Sequence, residues 1–277
     1  MADNLYPFYL DPKQQVILGT KTKIHSKSGT IFLGTNVSGK FHLGHLVLLS
    51  IAEFLRIKTH QSIVVSLNEV ESVYARDNNL RDVIQNRKQI INFLTRQNII
   101  IHSRIEDYDL LLLAIRLIKL LEQDKVKLAR LQSFFPHRIS ASQIFELVLM
   151  AVAPIFVADE QNSKKILLLY GADQKNNLEY IFYLYQQKWF KQEVKQAFNL
   201  KLPELNYLII KLIPNLLTKG KMSKRSKSQA VSLDQIKDDT KLTPEIVVYL
   251  NQIIALLGSD HEALKNPWLK YLSTLFF

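Results

Sequence analysis

The chain has 277 residues, a net charge of +11, a pI near 9.6, 47% hydrophobic content and no cysteine. The missing cysteine excludes a disulfide framework, a thiol nucleophile and a cysteine zinc site, and the basic balance favours a polyanionic partner through counterion release from phosphates. The length allows one large domain with an appendage; even Leu110 to Leu121 is interrupted by Arg116 and Lys119, so no membrane span is expected, and without a basic-then-apolar leader after Met1 the expected location is the cytoplasm.

Residues 1–29 are polar and basic, with Lys21, Lys23 and Lys27, and read as an N-terminal extension over the domain edge. Thr30 to Leu33 is a short apolar strand, followed by a glycine turn and a helix from about Leu46 to Leu55. Gln61 to Leu67 reads as a second strand, its Ile63-Val64-Val65 core continuous as in a sheet buried on both faces. Leu80 to Asn98 has helical spacing through Val83, Ile84, Ile90, Ile91 and Leu94, and Ile99 to Ile101 is a third strand. Tyr108 to Leu131 and Ile144 to Val152 form a helical insertion, about 105–155, that Ala153-Pro154 is expected to stop. Ile166 to Leu169 and Leu208 to Leu212 complete the parallel strands around a helix from Leu178 to Ala197. The pattern predicts an α/β domain over 30–215 with a doubly wound parallel sheet, then a lysine loop and a short helical tail over 216–277, its one good helix running from Pro244 to Leu257.

Two nucleotide chemistries compete for the turn after the first strand. Gly34 through Lys40 fits the GxxxxGK skeleton of a P-loop, whose backbone amides cradle phosphates. That motif next needs a hydroxyl for Mg²⁺, and Phe41 has none. The alternative uses His42-Leu43-Gly44-His45: a glycine lets a nucleotide approach the backbone, and imidazoles at a helix N-terminus donate to phosphate oxygens where charge grows during attack at the α-phosphate. Downstream, Lys219-Gly220-Lys221-Met222-Ser223-Lys224 places mobile cations on a glycine-hinged loop, suited to closing over a leaving pyrophosphate. Between them, Tyr170-Gly171-Ala172-Asp173-Gln174 follows a strand, where an Asp can accept from ribose hydroxyls. Taken singly, these are also ordinary features: surface histidines by a turn, a solvated basic loop and a helix cap.

Taken in order, the segments resemble the HIGH motif, the G-x-D-Q segment and the KMSKS motif of class I aminoacyl-tRNA synthetases, nearest the tryptophanyl and tyrosyl subgroup. The resemblance implies a Rossmann-like (HUP-type) catalytic domain that activates an amino acid with ATP and Mg²⁺ and passes it to tRNA or another acceptor. It implies that His42, His45, Lys221 and Lys224 act on the phosphates, and that Gly34, Gly44, Gly171, Asp173, Met222 and Ser223 surround the nucleotide. Gln174 would orient the amino acid's polar head. Phe32 and Ala151 stand where these enzymes commonly place a Tyr or Gln for the substrate's polar atom; neither can bond it, which would leave an indole N–H or phenol without its partner and cost discrimination. The amino acid stays open, an aromatic or apolar, tryptophan- or tyrosine-like side chain being most compatible with the resemblance. The helical insertion implies a homodimer.

Lys221 to Arg225 and Thr243 to Leu250 also resemble the glutamyl enzymes, but Phe32 occupies the place of the arginine that family needs. Roughly fifty residues follow the lysine loop, fewer than a full anticodon-binding domain of this class. The other reading is therefore a synthetase paralogue that binds RNA or protein without catalysis, although intact His42, His45, Lys221 and Lys224 favour an enzyme. Six Lys or Arg between Lys211 and Lys227, with Lys188, Lys191 and Lys195, suggest a tRNA face.

Overall fold

A computed structural model describes residues 17–20, 29–39, 43–74 and 79–210. His42, Lys221, Met222, Ser223 and Lys224, the lysine loop and the expected tail helix lie outside the described residues.

The strands are β1 (Ile17–Thr20), β2 (Thr30–Asn36), β3 (Ser62–Asn68), β4 (Ile100–Ser103), β5 (Lys165–Gly171) and β6 (Glu204–Ile210). They form one sheet in the order β1-β6-β5-β2-β3-β4. β2 to β6 are parallel, while β1 runs antiparallel along β6 with a bulge between Ile17 and Gly19, covering an edge that would otherwise expose its backbone groups. The parallel order reverses between β2 and β5, as in a doubly wound fold. Ile31, Phe32 and Leu33, Ile63 to Val65, and Ile166 to Leu169 are buried without alternation because both faces are covered.

On one face, α1 (Leu43–Thr59) rests on β3 and β5, the short α2 (Glu69–Tyr74) follows β3, and α3 (Leu80–Thr95) rests on β4. The other face carries α4 (Tyr108–Gln123), α5 (Lys125–Gln132), α6 (Ala141–Glu160), α7 (Lys175–Gln186) and α8 (Lys188–Phe198), packed in one core with Phe32, Val64, Leu168 and Tyr170, and α2 reaches α6. Two expected continuous helices are each divided in the structure. Asp124 adopts an extended backbone and its carboxylate accepts from the amides of Val126 and Lys127, ending α4 and starting α5. Extended Gln187 likewise separates α7 from α8, which ends at left-handed Asn199.

Pro154 does not end its helix. α6 starts at a capping box, with the Gln143 amide donating to Ser140 Oγ and the Ser140 amide donating to Gln143 Oε1, and runs on past the proline. An interior proline costs about 3 kcal/mol, but every residue from Leu147 to Ala158 is buried. Each large apolar side chain there contributes roughly 1.5–3 kcal/mol by leaving water, so burial outweighs the lost backbone bond. The Ala151 carbonyl, three residues before the ring, also accepts the Tyr185 hydroxyl at 3.0 Å. Against the expectation that no segment is long and apolar enough to span a membrane, α6 meets both criteria with a mean hydropathy of 1.9. Packing on all sides explains why it is apolar around its circumference.

Candidate active site

The crevice at the order reversal is built by strands that part company. β2 and β5 pair from Thr30 with Ile166 to Leu33 with Leu169 and no further. Beyond that point Gly34, Thr35 and Asn36 pair only with β3, through Ser66, Leu67 and Asn68, while Tyr170 and Gly171 pair only with β6. The sheet therefore splits at the carboxyl ends of its two central strands, the place where such folds admit ligands.

Both flanking motifs open onto this split. α1 connects β2 to the parallel strand β3, so it runs back along the sheet and starts at the strands' carboxyl edge. Gly44 and His45 lie in its first turn, half-buried, in a turn without an acidic residue, so the helix dipole favours an anion there. From the other side, Gly171 ends β5 and Ala172 to Gln174 form a 3₁₀ turn leading into α7. Asp173 is exposed at the rim, while Gln174 is half-buried and accepts from Asn177 Nδ2 at 2.6 Å, with Asn177 also against Met150 of α6 at 3.5 Å. Gly34, Gly44, His45, Gly171, Asp173 and Gln174 thus belong to segments that meet at one end of the sheet. Phe32 and Ala151 do not reach its surface: both are 0% exposed within the core, one layer below the split.

Several buried polar groups at the same end carry no sequence motif. Glu71, at the start of α2, accepts from Asn36 Nδ2 at 3.0 Å and Asn68 Nδ2 at 3.2 Å, tying the ends of β2 and β3 together. Ser72 accepts from the Val37 amide at 3.1 Å and donates to the Asn68 carbonyl at 2.8 Å, fixing the first residue of the turn. Arg104, just after β4, is 1% exposed. Its Nε donates to Ser66 Oγ on β3 at 3.0 Å, and its Nη2 lies 3.9 Å from where a Gly34 Cβ would stand on β2. Burial pushes the guanidinium below its ordinary pKa, opposed by Tyr170 and by the carboxylates of Glu71, Glu69 and Glu146. Burial raises the Tyr170 hydroxyl to about 12, with Arg104 acting the other way. The only sequence signal for this group was an arginine directly after an apolar strand, at the edge where ligands bind.

A second cluster sits at the outer end of β4. His102 Nε2 contacts Asp107 Oδ2 at 3.0 Å and lies 3.9 Å from Glu160 Oε1, beside an open cavity of about 470 Å³. Asp107 also caps α4 by accepting from the Leu110 amide at 2.9 Å, so a helix cap with a hydrogen-bonded histidine accounts for the arrangement.

Among solved structures, tryptophanyl-tRNA synthetase from Aeropyrum pernix K1 superposes with a TM-score of 0.61 at 17% identity, over 90% of this chain and 77% of that one. This is the fold of a class I aminoacyl-tRNA synthetase catalytic domain. The synthetase fold recurs in the tryptophan-bound tryptophanyl enzyme of Encephalitozoon cuniculi (TM-score 0.58, 14% identity, 90% of this chain and 72% of that one). It recurs again in the tyrosyl enzyme of Aeropyrum pernix (TM-score 0.54, 17% identity, 82% of this chain and 63% of that one). No protein-family model and no curated protein sequence matches the chain.

Proposed function

We propose that the chain activates an amino acid with ATP and transfers it, as the aminoacyl group, to tRNA or another acceptor. One observation carries this reading: the HxGH segment and the G-x-D-Q segment, 127 positions apart between Gly44 and Gly171, flank a single split in the sheet. In the first step a substrate carboxylate oxygen bonds to the α-phosphorus, the bond from that phosphorus to the bridging oxygen breaks, and pyrophosphate leaves. The carboxylate attacks already ionised, so this step needs no general base, and positioning supplies much of the rate. His45 in the first turn of α1, with His42 preceding it in sequence, bonds the phosphate oxygens as charge grows, Gly44 admits the nucleotide, and Lys221 and Lys224 draw off pyrophosphate. Gly34, Met222 and Ser223 border the nucleotide, the Gly171 amide and Asp173 hold ribose, and Gln174 orients the amino acid. Mg²⁺ arrives on the triphosphate. In the second step an acceptor hydroxyl attacks the acyl carbon and AMP departs.

Homodimer formation through the helical insertion belongs to the same proposal. Tyr108, Leu112 and Ile115 form a stripe at i, i+4 and i+7 on α4 and are 77%, 59% and 57% exposed, an apolar face that a second copy would cover.

The deciding experiment is exchange of labelled pyrophosphate into ATP, run with each amino acid in turn, with and without total tRNA. Exchange dependent on one amino acid is expected. Exchange with none overturns the enzyme and leaves a synthetase-like module that binds RNA or protein.

A further inference from the structure

The enclosed residues at the split differ in what enclosure does to them. Phe32 and Ala151 are apolar and lose nothing by being shut in. Arg104 is also shut in, yet neither Nη1 nor Nη2 has a hydrogen-bond partner among the described residues. Its side chain crosses β3, anchored only through Nε on Ser66, and stops beside Gly34, whose missing side chain leaves room at the end of β2. The Tyr170 hydroxyl, on the facing side of the split, is likewise buried and unpartnered among the described residues, as is Asn68 Oδ1. Buried donors left unmade cost about 1–3 kcal/mol each, and more when charged, so such a group is completed by something that arrives.

Resting on the activation reading above, we propose that Arg104 is a specificity-determining residue that reads the side chain of the amino-acid substrate and selects a planar oxygen acceptor, a carboxylate or carboxamide. A guanidinium held through Nε still has four N–H groups on its two Nη atoms, two of which point in parallel along the Nη1–Nη2 edge, the fork that matches the two oxygens of a carboxylate or converges on one carbonyl. An indole or phenol offers no matching pair of acceptors. The nearby Glu69 is paired through one oxygen only, Oε1, which accepts from Arg87 Nε at 3.1 Å and Ser103 Oγ at 2.7 Å, while its buried Oε2 has no partner among the described residues; Glu71 holds the two asparagine amides, and no hydrogen bond joins either carboxylate to Arg104. The competing expectation, an aromatic or apolar substrate from the resemblance to the tryptophanyl and tyrosyl subgroup and from Phe32 and Ala151, is the alternative against which this assignment is tested.

The test is binding of Glu, Asp, Gln, Asn, Trp, Tyr and Leu to the full chain by calorimetry without ATP, beside pyrophosphate exchange with the same seven. Carboxylate and carboxamide arms are compared directly within the panel. The expected result is a preference of at least ~100-fold for an acceptor-bearing side chain, since a site built for a hydrogen bond strongly rejects a ligand that lacks it. Arg104→Met should abolish that preference, at a cost in thermal stability because the carboxylates of Glu71, Glu69 and Glu146 lose their cation. Arg104→Lys keeps the charge but not the planar fork and should abolish the preference at a smaller cost, whereas a merely structural arginine would leave the preference intact in both variants. If Trp, Tyr or Leu is bound and exchanged in preference, the Arg104 proposal falls and activation stands. If an acceptor-bearing amino acid binds with no exchange, activation falls and the Arg104 assignment stands. Binding of none of the seven overturns the assignment. Should Arg104→Met not fold, the preference of the unaltered chain still decides.

Discussion

The guanidinium of Arg104 ends 3.9 Å from the point where a side chain at Gly34 would begin, although β3 lies between their two strands. At Gly34 a methyl would meet Asn68 at 3.7 and 3.8 Å and Arg104 at 3.9 Å, all ordinary contact distances, and its backbone is not left-handed. Gly34→Ala should therefore fold with little change in Tm. The methyl would nevertheless occupy the space between Asn68 and Arg104, and amino-acid affinity measured by calorimetry should fall about tenfold or more, the scale of a misplaced methyl group in a pocket. Unchanged affinity would show that the amino-acid side chain does not enter the space between Asn68 and Arg104, leaving the role of Gly34 beside the nucleotide to be tested by ATP affinity.

Glu71 is 3% exposed and joins the ends of β2 and β3 through Asn36 and Asn68. Glu71→Ala strands two amide donors and should lower stability by about 1–3 kcal/mol. In chemical denaturation the midpoint should move down with an unchanged slope. A fall in exchange activity should accompany it, because the same strand ends carry the turn into α1.

The two nucleotide chemistries weighed for residues 34–45 separate by mutation. Under the proposed function, His45→Ala and Lys221→Ala should each lower exchange turnover by roughly 10²–10³-fold, as for loss of a transition-state donor, with much smaller effects on amino-acid binding. Lys40→Ala should be mild. A ruinous Lys40→Ala with a mild His45→Ala would restore the P-loop.

The apolar stripe on α4 predicts self-association. Leu112 is 59% exposed at its centre, so Leu112→Glu should leave the fold intact while introducing a charge that a mating face cannot bury. Light scattering should show a dimer for the unaltered chain and a monomer for the variant. A chain that is monomeric at high micromolar concentration would refute the pairing.

Glu160 gives a pH signature. Its side chain is half exposed, and partial burial is the first of the causes that hold its carboxyl above the ordinary value of 4.5, with His102 opposing and Asp107 and Asp159 reinforcing. A raised folded pKa means the folded state favours the protonated form. Its contribution is fully present below 4.5 and is lost as pH rises through the folded value. Glu160→Gln does not titrate, so its Tm should exceed that of the unaltered chain increasingly as pH rises through this window, and the difference should close in acid. A difference independent of pH would show that Glu160 is not strained by its surroundings.

Strand and helix identity was largely legible along the chain. The runs at Ile31 to Leu33, Ile63 to Val65 and Ile166 to Leu169 are strands because an uninterrupted apolar stretch of that length suits a sheet covered on both faces. The expected helix stop at Pro154 was misleading, because a proline's local cost is set against burial that depends on neighbours distant in sequence. The single expected helix over 108–131 missed Asp124, a capping residue whose signal is one side chain long.

What sequence alone determined is the parallel α/β plan and the motif segments at strand ends, since local pattern and residue chemistry are read without knowing who the neighbours are. Only the tertiary structure decided that β2 and β5 separate after Leu33 and Leu169, that Phe32 and Ala151 are sealed beneath the split, and that Arg104 reaches across β3 to Gly34. Those are relationships between segments dozens of residues apart, and whether a buried polar group is satisfied depends on which of them the fold brings within hydrogen-bond distance.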